Sequence, residues 1–375
     1  MIVACCLLAA CSGSGSSTQP PPPSGTLALT TCEIPAGASS CAATVSWTTS
    51  GAAAPTVHLG SATLSQSPAG TSAVPVGATI QTVTLLDGTR RLDEKSFAGT
   101  CVSASSWDGR LCYQFAQRMT ERAPTSHVEG GRKVTLEVVL YRPLGGGPYP
   151  AVLFHHGSTG NGDDPSSFRS TYTNEAIAKF FTDRGWLVAF PQRRGRGASD
   201  GLYDEGFTAD RSRYSCLSDP ALAGLERALQ DADAAADFLT ALDDVDVSRL
   251  LSAGTSRGGL LAIAHAGRRP DLFDGAVNFV GGWLGEGCQD AMVVNRTGFL
   301  AGKLFPGETL WLYAANDPFY SLAHSRSHFD AFVGAGGRGQ FEIFNRAPTL
   351  NGHFLVNDPA LWSPEIDAFL GRLVP

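Results

Sequence analysis

The sequence LLSAGTSRGGLLAIA, from Leu250 to Ala264, places a glycine-rich turn between two apolar runs. The first run has the length of a buried strand, and the second has the composition of a helix. Between them lies Gly254-Thr255-Ser256-Arg257-Gly258, a G-x-S-x-G pattern in the strand, turn and helix context that it requires. We therefore predict that Ser256 stands on a sharp turn at the edge of a sheet.

A serine in this position is a candidate nucleophile. The turn strains its backbone and lifts its hydroxyl above the sheet, and glycines are the residues that tolerate the crowding on either side. The following helix directs free N–H groups and the positive end of its dipole toward any oxyanion that forms nearby. A chain with 43 glycines also contains such pentapeptides by chance, so a purely structural turn is the alternative. The surrounding sequence decides between the two.

Two later segments supply the partners that a nucleophilic serine needs, a histidine to accept its proton and a carboxylate to orient that histidine. Asp317 directly follows a strand predicted over 309–315, and His353 lies in the loop after the next strand. In open α/β sheets such groups collect at the carboxyl ends of the strands. The alternative for Asp317 is a structural carboxylate in the turn Asn316-Asp317-Pro318. We predict that Ser256, Asp317 and His353 act together.

From residue 130 onward, strands and helices alternate along the sequence. This pattern predicts an α/β fold with a mostly parallel sheet covered by helices on both faces. Strands are predicted over 133–141, 150–155, 186–191, 275–280, 309–315 and 340–344, besides the strand that leads into Ser256. Helices are predicted over 174–184, 221–242, 289–300, 321–333 and 364–373, besides the helix from Ser256 to about Arg268.

Four separated motifs make residues from about 130 to 375 resemble an α/β-hydrolase of the dienelactone hydrolase and prolyl-oligopeptidase-like branch. They are Phe154-His155-His156-Gly157-Ser158 after a buried strand, the turn at Ser256, Asp317 after a later strand, and Gly352-His353 before the last helix. The chain order Ser, Asp, His is that of the α/β-hydrolases. We accordingly assign 105–375 to a catalytic α/β-hydrolase domain.

The resemblance implies the roles of individual residues. It implies a catalytic triad of Ser256, His353 and Asp317, and an oxyanion hole formed by the backbone N–H groups of Ser158 and Arg257. It implies a serine esterase that cleaves a small-molecule or polymer ester without a cofactor. A serine peptidase of the prolyl-oligopeptidase type is the alternative, but the β module of this chain is too small for the propeller that such peptidases usually carry. A non-catalytic polymer-binding or adhesion lipoprotein is a more distant alternative.

The long connection after the strand at 186–191 is predicted to border the site. Its loop over 193–201 is expected to be braced by Asp200, Asp204 and Glu205, with contact to a substrate carboxylate as the alternative. The residues expected at the rim of the substrate pocket are Arg194, Tyr203 and Trp283, together with Phe207 and Tyr214. Core packing is the alternative for each aromatic residue.

The remaining histidines are not expected to take part in the chemistry. His155 and His156 are interpreted as structural supports of the loop that precedes Ser158. His324 and His328 have the spacing of a metal-binding pair. However, the Glu of H-E-x-x-H is absent and no third ligand is evident, so the sequence predicts no metal site.

The first 25 residues read as a leader and a linker. An apolar stretch too short to span a bilayer ends in Leu8-Ala9-Ala10-Cys11, which resembles the lipobox of bacterial lipoproteins. We therefore expect lipidation at Cys11 and a place in the bacterial cell envelope, with Ser12 favouring the outer membrane. The usual Lys or Arg of such leaders is missing, so a plain secretory signal, with a secreted or periplasmic protein, is the alternative. A Ser/Gly/Pro-rich tether follows up to residue 25.

Residues 26–104 are rich in Thr, Ser, Val, Ala and Gly and show short alternating runs separated by turns. Two of these runs cover 43–48 and 81–86. Such a pattern is typical of a β-sandwich, and we predict a small immunoglobulin-like module. It could bind a polysaccharide or act as a spacer.

Six cysteines remain after the leader in a chain that is expected to enter an oxidising compartment. Proximity in sequence favours disulfides between Cys32 and Cys41 and between Cys101 and Cys112, which leaves Cys216 to pair with Cys288. Six cysteines allow 15 connectivities, and free buried thiols are the alternative.

The charge of the chain argues against a nucleic-acid partner. Its formal net charge is −7 and its pI is near 5.6. A nucleic-acid binding surface needs a basic face, and this sequence has no long basic run.

Overall fold

A computed structural model describes residues 21–35, 38–101, 105–107, 112–114, 117–143 and 146–373, with only the backbone given for 105–107, 112–114 and 117. The predicted leader and the Cys11 lipidation site lie outside these residues. The chain forms two compact units that divide between residues 102 and 113. No helix in the described part of the chain is long and apolar enough to cross a membrane.

The first unit consists of β-strands. They are β1 (Ser24–Leu29), β2 (Glu33–Ile34), β3 (Cys41–Ser50), β4 (Pro55–Leu59), β5 (Ala62–Ser65), β6 (Ala69–Val76), β7 (Gln81–Asp87), β8 (Arg90–Phe97) and β9 (Thr100–Cys101). One sheet has the order β1-β3-β6, a second has the order β5-β4-β7-β8, and β2 pairs with β9. The runs predicted as strands over 43–48 and 81–86 lie within β3 and β7.

Alternating side chains of both sheets form the core of the first unit. On β3, Ala43, Val45 and Trp47 point inward while their neighbours are more exposed. They pack with Val57 of β4 and Val83 of β7, among other buried residues. The two sheets therefore form a sandwich, which is compatible with the predicted immunoglobulin-like module.

The second unit contains a mixed sheet and seven helices among the described residues. After the short strands β10 (Ser105–Trp107) and β11 (Cys112–Gln114), the strands are β12 (Gln117–Glu129), β13 (Arg132–Arg142), β14 (Tyr149–His155), β15 (Leu187–Pro191), β16 (Val245–Thr255), β17 (Gly275–Phe279), β18 (Glu308–Ala314) and β19 (Gly339–Phe344). The helices are α1 (Pro165–Phe168), α2 (Glu175–Thr182), α3 (Ser218–Thr240), α4 (Arg257–Arg268), α5 (Ala291–Ala301), α6 (Leu322–Gly334) and α7 (Pro359–Leu373).

The sheet has the order β12-β13-β15-β14-β16-β17-β18-β19. The pairs β12–β13 and β13–β15 are antiparallel, and the other neighbours are parallel. Helices α2 and α7 contact each other, and α3 to α6 form a second contiguous group. The sheet therefore lies between two helical layers, and its central strands β15 and β17 are buried along their whole length. Most predicted elements of this unit are present within a few residues of their predicted bounds.

Besides α1, β10, β11 and the 3₁₀ helix Gly302–Leu304, none of which was predicted, three elements differ from the prediction. Strand β12 was not predicted, because it lies at the edge of the sheet, alternates polar residues and contains Pro124 beside a register shift. Helix α7 begins at Pro359 and carries Pro364 inside it, whereas the prediction began at residue 364. A 3₁₀ helix, Gly352–Asn357, occupies the segment that the prediction gave as the loop of His353.

Disulfides link Cys32 to Cys41 and Cys216 to Cys288. Cys101 is also disulfide-bonded, and the side chain of its predicted partner Cys112 lies outside those described. The Cys216–Cys288 bond joins the segment before α3 to the segment before α5, and the two cysteines are 72 residues apart.

Replacing both Cys216 and Cys288 with serine is expected to lower the free energy of unfolding by about 4 kcal/mol, because the unfolded chain regains the entropy of a long open loop. Urea unfolding followed by tryptophan fluorescence measures this loss. Adding a reducing agent to the double variant should then cause little further loss in the free energy of unfolding of the second unit. A double variant as stable as the wild type would contradict the expectation.

Candidate active site

Ser256 lies on the turn between β16 and α4 in a backbone conformation that few non-glycine residues adopt. Its φ is 55° and its ψ is −124°. The flanking glycines leave no space for a side chain. A Cβ at Gly254 would lie 2.2 Å from the Gly258 carbonyl oxygen, and a Cβ at Gly258 would lie 2.0 Å from the His155 carbonyl oxygen. The turn thus requires the two glycines of the G-x-S-x-G motif.

A chain of hydrogen bonds connects three side chains from distant parts of the sequence. The Ser256 Oγ is 3.0 Å from the His353 Nε2, and the His353 Nδ1 is 2.9 Å from the Asp317 Oδ2. The other carboxylate oxygen of Asp317 accepts hydrogen bonds from the backbone N–H groups of Phe319 and Tyr320. With the Asp317 carboxylate buried and fixed, its bond to Nδ1 leaves the His353 Nε2 free to accept a proton from Ser256.

The loop that carries His353 is packed against the loop that carries Asp317. A Cβ at Gly352 would lie 2.6 Å from the backbone N of Asp317, so only glycine allows this approach. The Asn351 side chain accepts a hydrogen bond from the His353 N–H. Arg346 pairs with Asp358 at 2.5 Å and also donates to the Asn351 carbonyl. These contacts set the distance between the imidazole and the carboxylate.

Two backbone N–H groups lie next to Ser256 without an acceptor in the described part of the chain. Arg257 is the first residue of α4, where the N–H groups of a helix have no partner within the helix. Ser158 follows Gly157, and a Cβ at Gly157 would lie only 3.0 Å from the Ser256 Cβ. The N–H groups of Ser158 and Arg257 are therefore candidate donors to the oxyanion that would form on a carbonyl oxygen attacked by the Ser256 Oγ.

Comparisons with known proteins bear on the fold that carries these residues. Residues 225–284, which include Ser256, match the model of the prolyl oligopeptidase family. The dipeptidyl peptidase 4 of Porphyromonas gingivalis is 15% identical with a TM-score of 0.50, and the alignment covers 80% of this chain and 41% of that chain. That likeness shows the fold. The chain has an α/β-hydrolase fold.

Other solved structures are similar at lower TM-scores. The acetyl xylan esterase 1 from Thermoanaerobacterium sp. is 15% identical with a TM-score of 0.44, and the alignment covers 69% of this chain and 89% of that chain. A dienelactone hydrolase-like promiscuous phosphotriesterase from metagenomic libraries is 18% identical with a TM-score of 0.44, and the alignment covers 68% and 97%. No curated protein matches the sequence significantly.

Of the residues predicted for the pocket rim, Arg194, Tyr203 and Trp283 are buried. Arg194 was expected at the rim, but its side chain turns to α3, where its Nε lies 2.6 Å from Asp231 and it also bonds Gln230. Tyr203 and Trp283 are 3% and 1% exposed, as the alternative of core packing expects. The next residue, Gly195, has a φ of 74°, and a Cβ there would lie 2.0 Å from the Tyr203 backbone N.

The buried histidines act as structural residues. Burial lowers the pKa of His155 and of His156 well below the ordinary value, so both rings are neutral. His324 and His328 contact each other at 3.1 Å, and burial lowers the pKa of His328 to about 3. Among the described residues, no group of three His, Cys, Asp or Glu side chains could hold a metal ion.

Sequence reasoning missed several residues that support the site. Two of them are Arg193 and Arg196, which are buried behind the turn at Gly157, and a third is Arg346, which braces the His353 loop. Glu205, which pairs with Arg193, was among the carboxylates expected to brace this loop. The sequence signal was the run Arg193-Arg194-Gly195-Arg196, which shows that arginines border the site. It does not show which of them turn inward.

Gly352→Ala is expected to slow phosphonylation of Ser256 by a fluorophosphonate about 100-fold, because the new methyl group displaces His353 from Ser256. Labelling kinetics followed by mass spectrometry measure the rate. Gly371→Ala is the matched control, because a Cβ at Gly371 meets open space. Equal rates in both variants would contradict the role of this close contact.

Proposed function

We propose that this chain is a serine hydrolase that cleaves carboxylic esters of small molecules or polymers through an acyl-enzyme intermediate. The observation that carries the proposal is the continuous hydrogen-bonded chain from Ser256 through His353 to Asp317. It stands at the strained turn of an α/β-hydrolase fold, next to two free backbone N–H groups. This combination of nucleophile, base, orienting carboxylate and oxyanion donors is what acyl transfer requires.

In the first half of the reaction, the Ser256 Oγ attacks the ester carbonyl carbon while the His353 Nε2 takes the hydroxyl proton. The carbonyl oxygen becomes negatively charged and accepts hydrogen bonds from the N–H groups of Ser158 and Arg257. Asp317 stabilises the imidazolium that forms. The tetrahedral intermediate then collapses, the alcohol leaves with the proton from His353, and the acyl group stays on Ser256.

In the second half, water replaces the alcohol. His353 takes a proton from the water, the resulting hydroxide attacks the acyl carbon, and the same N–H groups bind the oxyanion. Collapse breaks the bond to Ser256, which recovers its proton from His353, and the carboxylic acid is released. No cofactor enters the scheme.

A serine peptidase of the prolyl-oligopeptidase type is the second candidate. The family match over 225–284 and the fold likeness to a dipeptidyl peptidase favour it. Against it, the described strands of the first unit form a two-sheet sandwich rather than a propeller. The same sandwich supports our proposal of an immunoglobulin-like module over 26–104, ahead of a catalytic domain over 105–375.

We also propose that the protein is a bacterial envelope lipoprotein anchored through Cys11, with secretion to the periplasm or medium as the alternative. This proposal rests on the sequence alone, on Leu8-Ala9-Ala10-Cys11 and the tether that follows. Metabolic labelling with a palmitate analogue, compared between the wild type and Cys11→Ser, tests it.

Ser256→Ala is expected to lower the turnover of p-nitrophenyl esters by about 10⁴- to 10⁶-fold, because the nucleophile is lost. Ser252→Ala is the matched control, since Ser252 is buried on β16 and its hydroxyl donates to the Ala262 carbonyl. The esters run from acetate to decanoate, and aminoacyl-nitroanilides are assayed in parallel. Turnover of the nitroanilides alone would favour the peptidase. A wild type that neither turns over any substrate nor reacts with a phosphonate would favour the non-catalytic alternative.

The leaving alcohol must lie beside His353, because this residue gives it a proton. Phe319 and Phe354 flank the imidazole, with ring centroids 4.6 Å and 6.2 Å away, and they are 47% and 52% exposed. Two exposed aromatic rings at this position favour a flat apolar alcohol group.

Phe319→Ala is therefore expected to raise the KM for 2-naphthyl acetate about 3- to 10-fold and to leave the KM for methyl acetate unchanged. Both esters give the same acetyl-enzyme, so the comparison isolates the alcohol. Leu304→Ala is the control, because Leu304 is 73% exposed and precedes β18 at the opposite edge of the sheet. A similar change for both esters would refute the assignment of this surface to the alcohol.

A further inference from the structure

We propose that Glu205 is a positioning residue that ties together the two backbone segments of the oxyanion hole. The inference rests on the proposed function and goes beyond it. Glu205 touches neither the nucleophile nor the proton relay. It acts through two arginines, Arg193 and Arg257, each of which fixes one of the segments.

The first arginine holds the segment that ends in the Ser158 N–H. The Arg193 Nε lies 2.5 Å from the Glu205 Oε1. Its two terminal nitrogens donate to the carbonyl oxygens of His156 and Gly157 at 3.0 Å and 3.2 Å. Arg196 donates to the same Gly157 oxygen at 2.9 Å.

These bonds reach the oxyanion hole through a single peptide group. The carbonyl of Gly157 and the N–H of Ser158 belong to the same planar unit and point in opposite directions. Two guanidinium groups on the oxygen therefore fix the direction of the N–H. They also polarise the amide, which strengthens the N–H as a donor.

The second arginine holds the other segment. Arg257 donates to the Glu205 carbonyl oxygen at 3.0 Å and lies 3.3 Å from its Oε2. Its guanidinium stacks over Tyr214 at 3.8 Å and over Trp283 at 4.8 Å. The side chain is thus held on several sides, and its own backbone N–H is the second oxyanion donor.

The cluster carries more positive than negative charge. Arg193, Arg196 and Arg257 are 3%, 7% and 4% exposed, and Glu205 is 2% exposed. Burial raises the pKa of Glu205, but the charges of Arg193 and Arg257 outweigh burial and keep that pKa below its ordinary value. The carboxylate is therefore ionised at neutral pH, and a net positive charge remains behind the oxyanion hole. Such a charge favours the oxyanion over the neutral ester.

The same loop contains a matched ion pair that does not reach the oxyanion hole. Arg194 and Asp231 are 5% and 3% exposed, and the Arg194 Nε lies 2.6 Å from the Asp231 Oδ1. Asp231 also accepts from the Arg194 N–H at 2.9 Å. This pair joins the loop to α3 and makes no bond to His156, Gly157 or Arg257. A variant of the Arg194–Asp231 pair therefore shows the effect of losing a buried ion pair alone, without an effect on the segments that Glu205 positions.

The test compares Glu205→Gln with Asp231→Asn in the full chain. The measurements are kcat and KM for p-nitrophenyl acetate, the Tm, and the inhibition constant of a trifluoromethyl ketone. Such a ketone forms a tetrahedral adduct with Ser256 that carries an oxyanion. For Glu205→Gln we expect kcat to fall about 10- to 100-fold with KM little changed. This loss of kcat is no larger than the loss expected when a whole oxyanion-hole donor is removed. The ketone should bind more weakly by a similar factor. For Asp231→Asn we expect a lower Tm with kcat and ketone binding within about 2-fold of the wild type.

Arg193→Lys is a second variant, needed if Glu205→Gln does not fold. It keeps a charge for Glu205 but loses the fork that holds two carbonyls at once. We expect kcat and ketone affinity to fall together again. An unchanged kcat in either variant, or equal losses of kcat in Glu205→Gln and Asp231→Asn, would overturn the proposal.

The failure of the proposed function is distinguishable from the failure of this inference. If the wild type has no Ser256-dependent turnover of esters, the esterase proposal fails. The rate of Ser256 phosphonylation, which also builds negative charge on an oxygen near the two N–H groups, then replaces kcat in the same comparison. The positioning role stands or falls on whether Glu205→Gln and Arg193→Lys slow that rate more than Asp231→Asn does.

Discussion

The close approach of the Ser256 turn to the end of β14 is the constraint on which the site depends. The backbone at Gly258 lies so near the His155 carbonyl that a Cβ would be 2.0 Å from its oxygen. This contact also brings the loop after β14 close to Ser256, since a Cβ at Gly157 would lie 3.0 Å from the Ser256 Cβ. It also fixes the start of α4, whose first N–H faces the same space. Ser256 keeps its strained φ of 55° because the packing of β14, β16 and α4 around it holds the backbone in that conformation.

The sequence predicted the parts of the site that follow from periodicity and chain order. Ser256, Asp317 and His353 each follow a recognisable strand, and the carboxyl ends of parallel strands share one edge of a sheet. Strand β12 was not predicted, because an edge strand with an exposed face carries no apolar run. The sequence also did not predict which residues the side chains of Arg193, Arg194 and Arg196 contact. They lie in a loop with glycines at positive φ, where no period of 2 or 3.6 residues says which side chain turns inward.

Tertiary contacts that no local pattern reveals complete the site. Arg346 is distant in sequence from Asp317, yet it holds the Asn351 carbonyl and thereby the loop that presents His353. Arg346 also pairs with Asp358, and the side chains of the two residues are 7% and 13% exposed. The 2.9 Å distance between the His353 Nδ1 and the Asp317 Oδ2 therefore depends on residues outside the hydrogen-bonded chain itself. Such residues become visible only when the chain is folded.

The buried charges of Arg193, Arg196, Arg257 and Glu205 have a free-energy cost that apolar packing would avoid. Removing two or more ions from water is expensive, and apolar residues of similar volume are often as stable. Apolar replacements here would leave the carbonyl oxygens of His156 and Gly157 without the donors that Arg193 and Arg196 supply. Each unsatisfied buried carbonyl costs about 1 to 3 kcal/mol, and it would also be free to rotate the adjoining N–H away from the reacting oxygen. A charged cluster can hold several carbonyls in one orientation because a guanidinium offers five donors in a rigid plane. Arginine is therefore the side chain that the oxyanion loop requires, and Glu205 is the counter-charge that allows two arginines to be buried side by side.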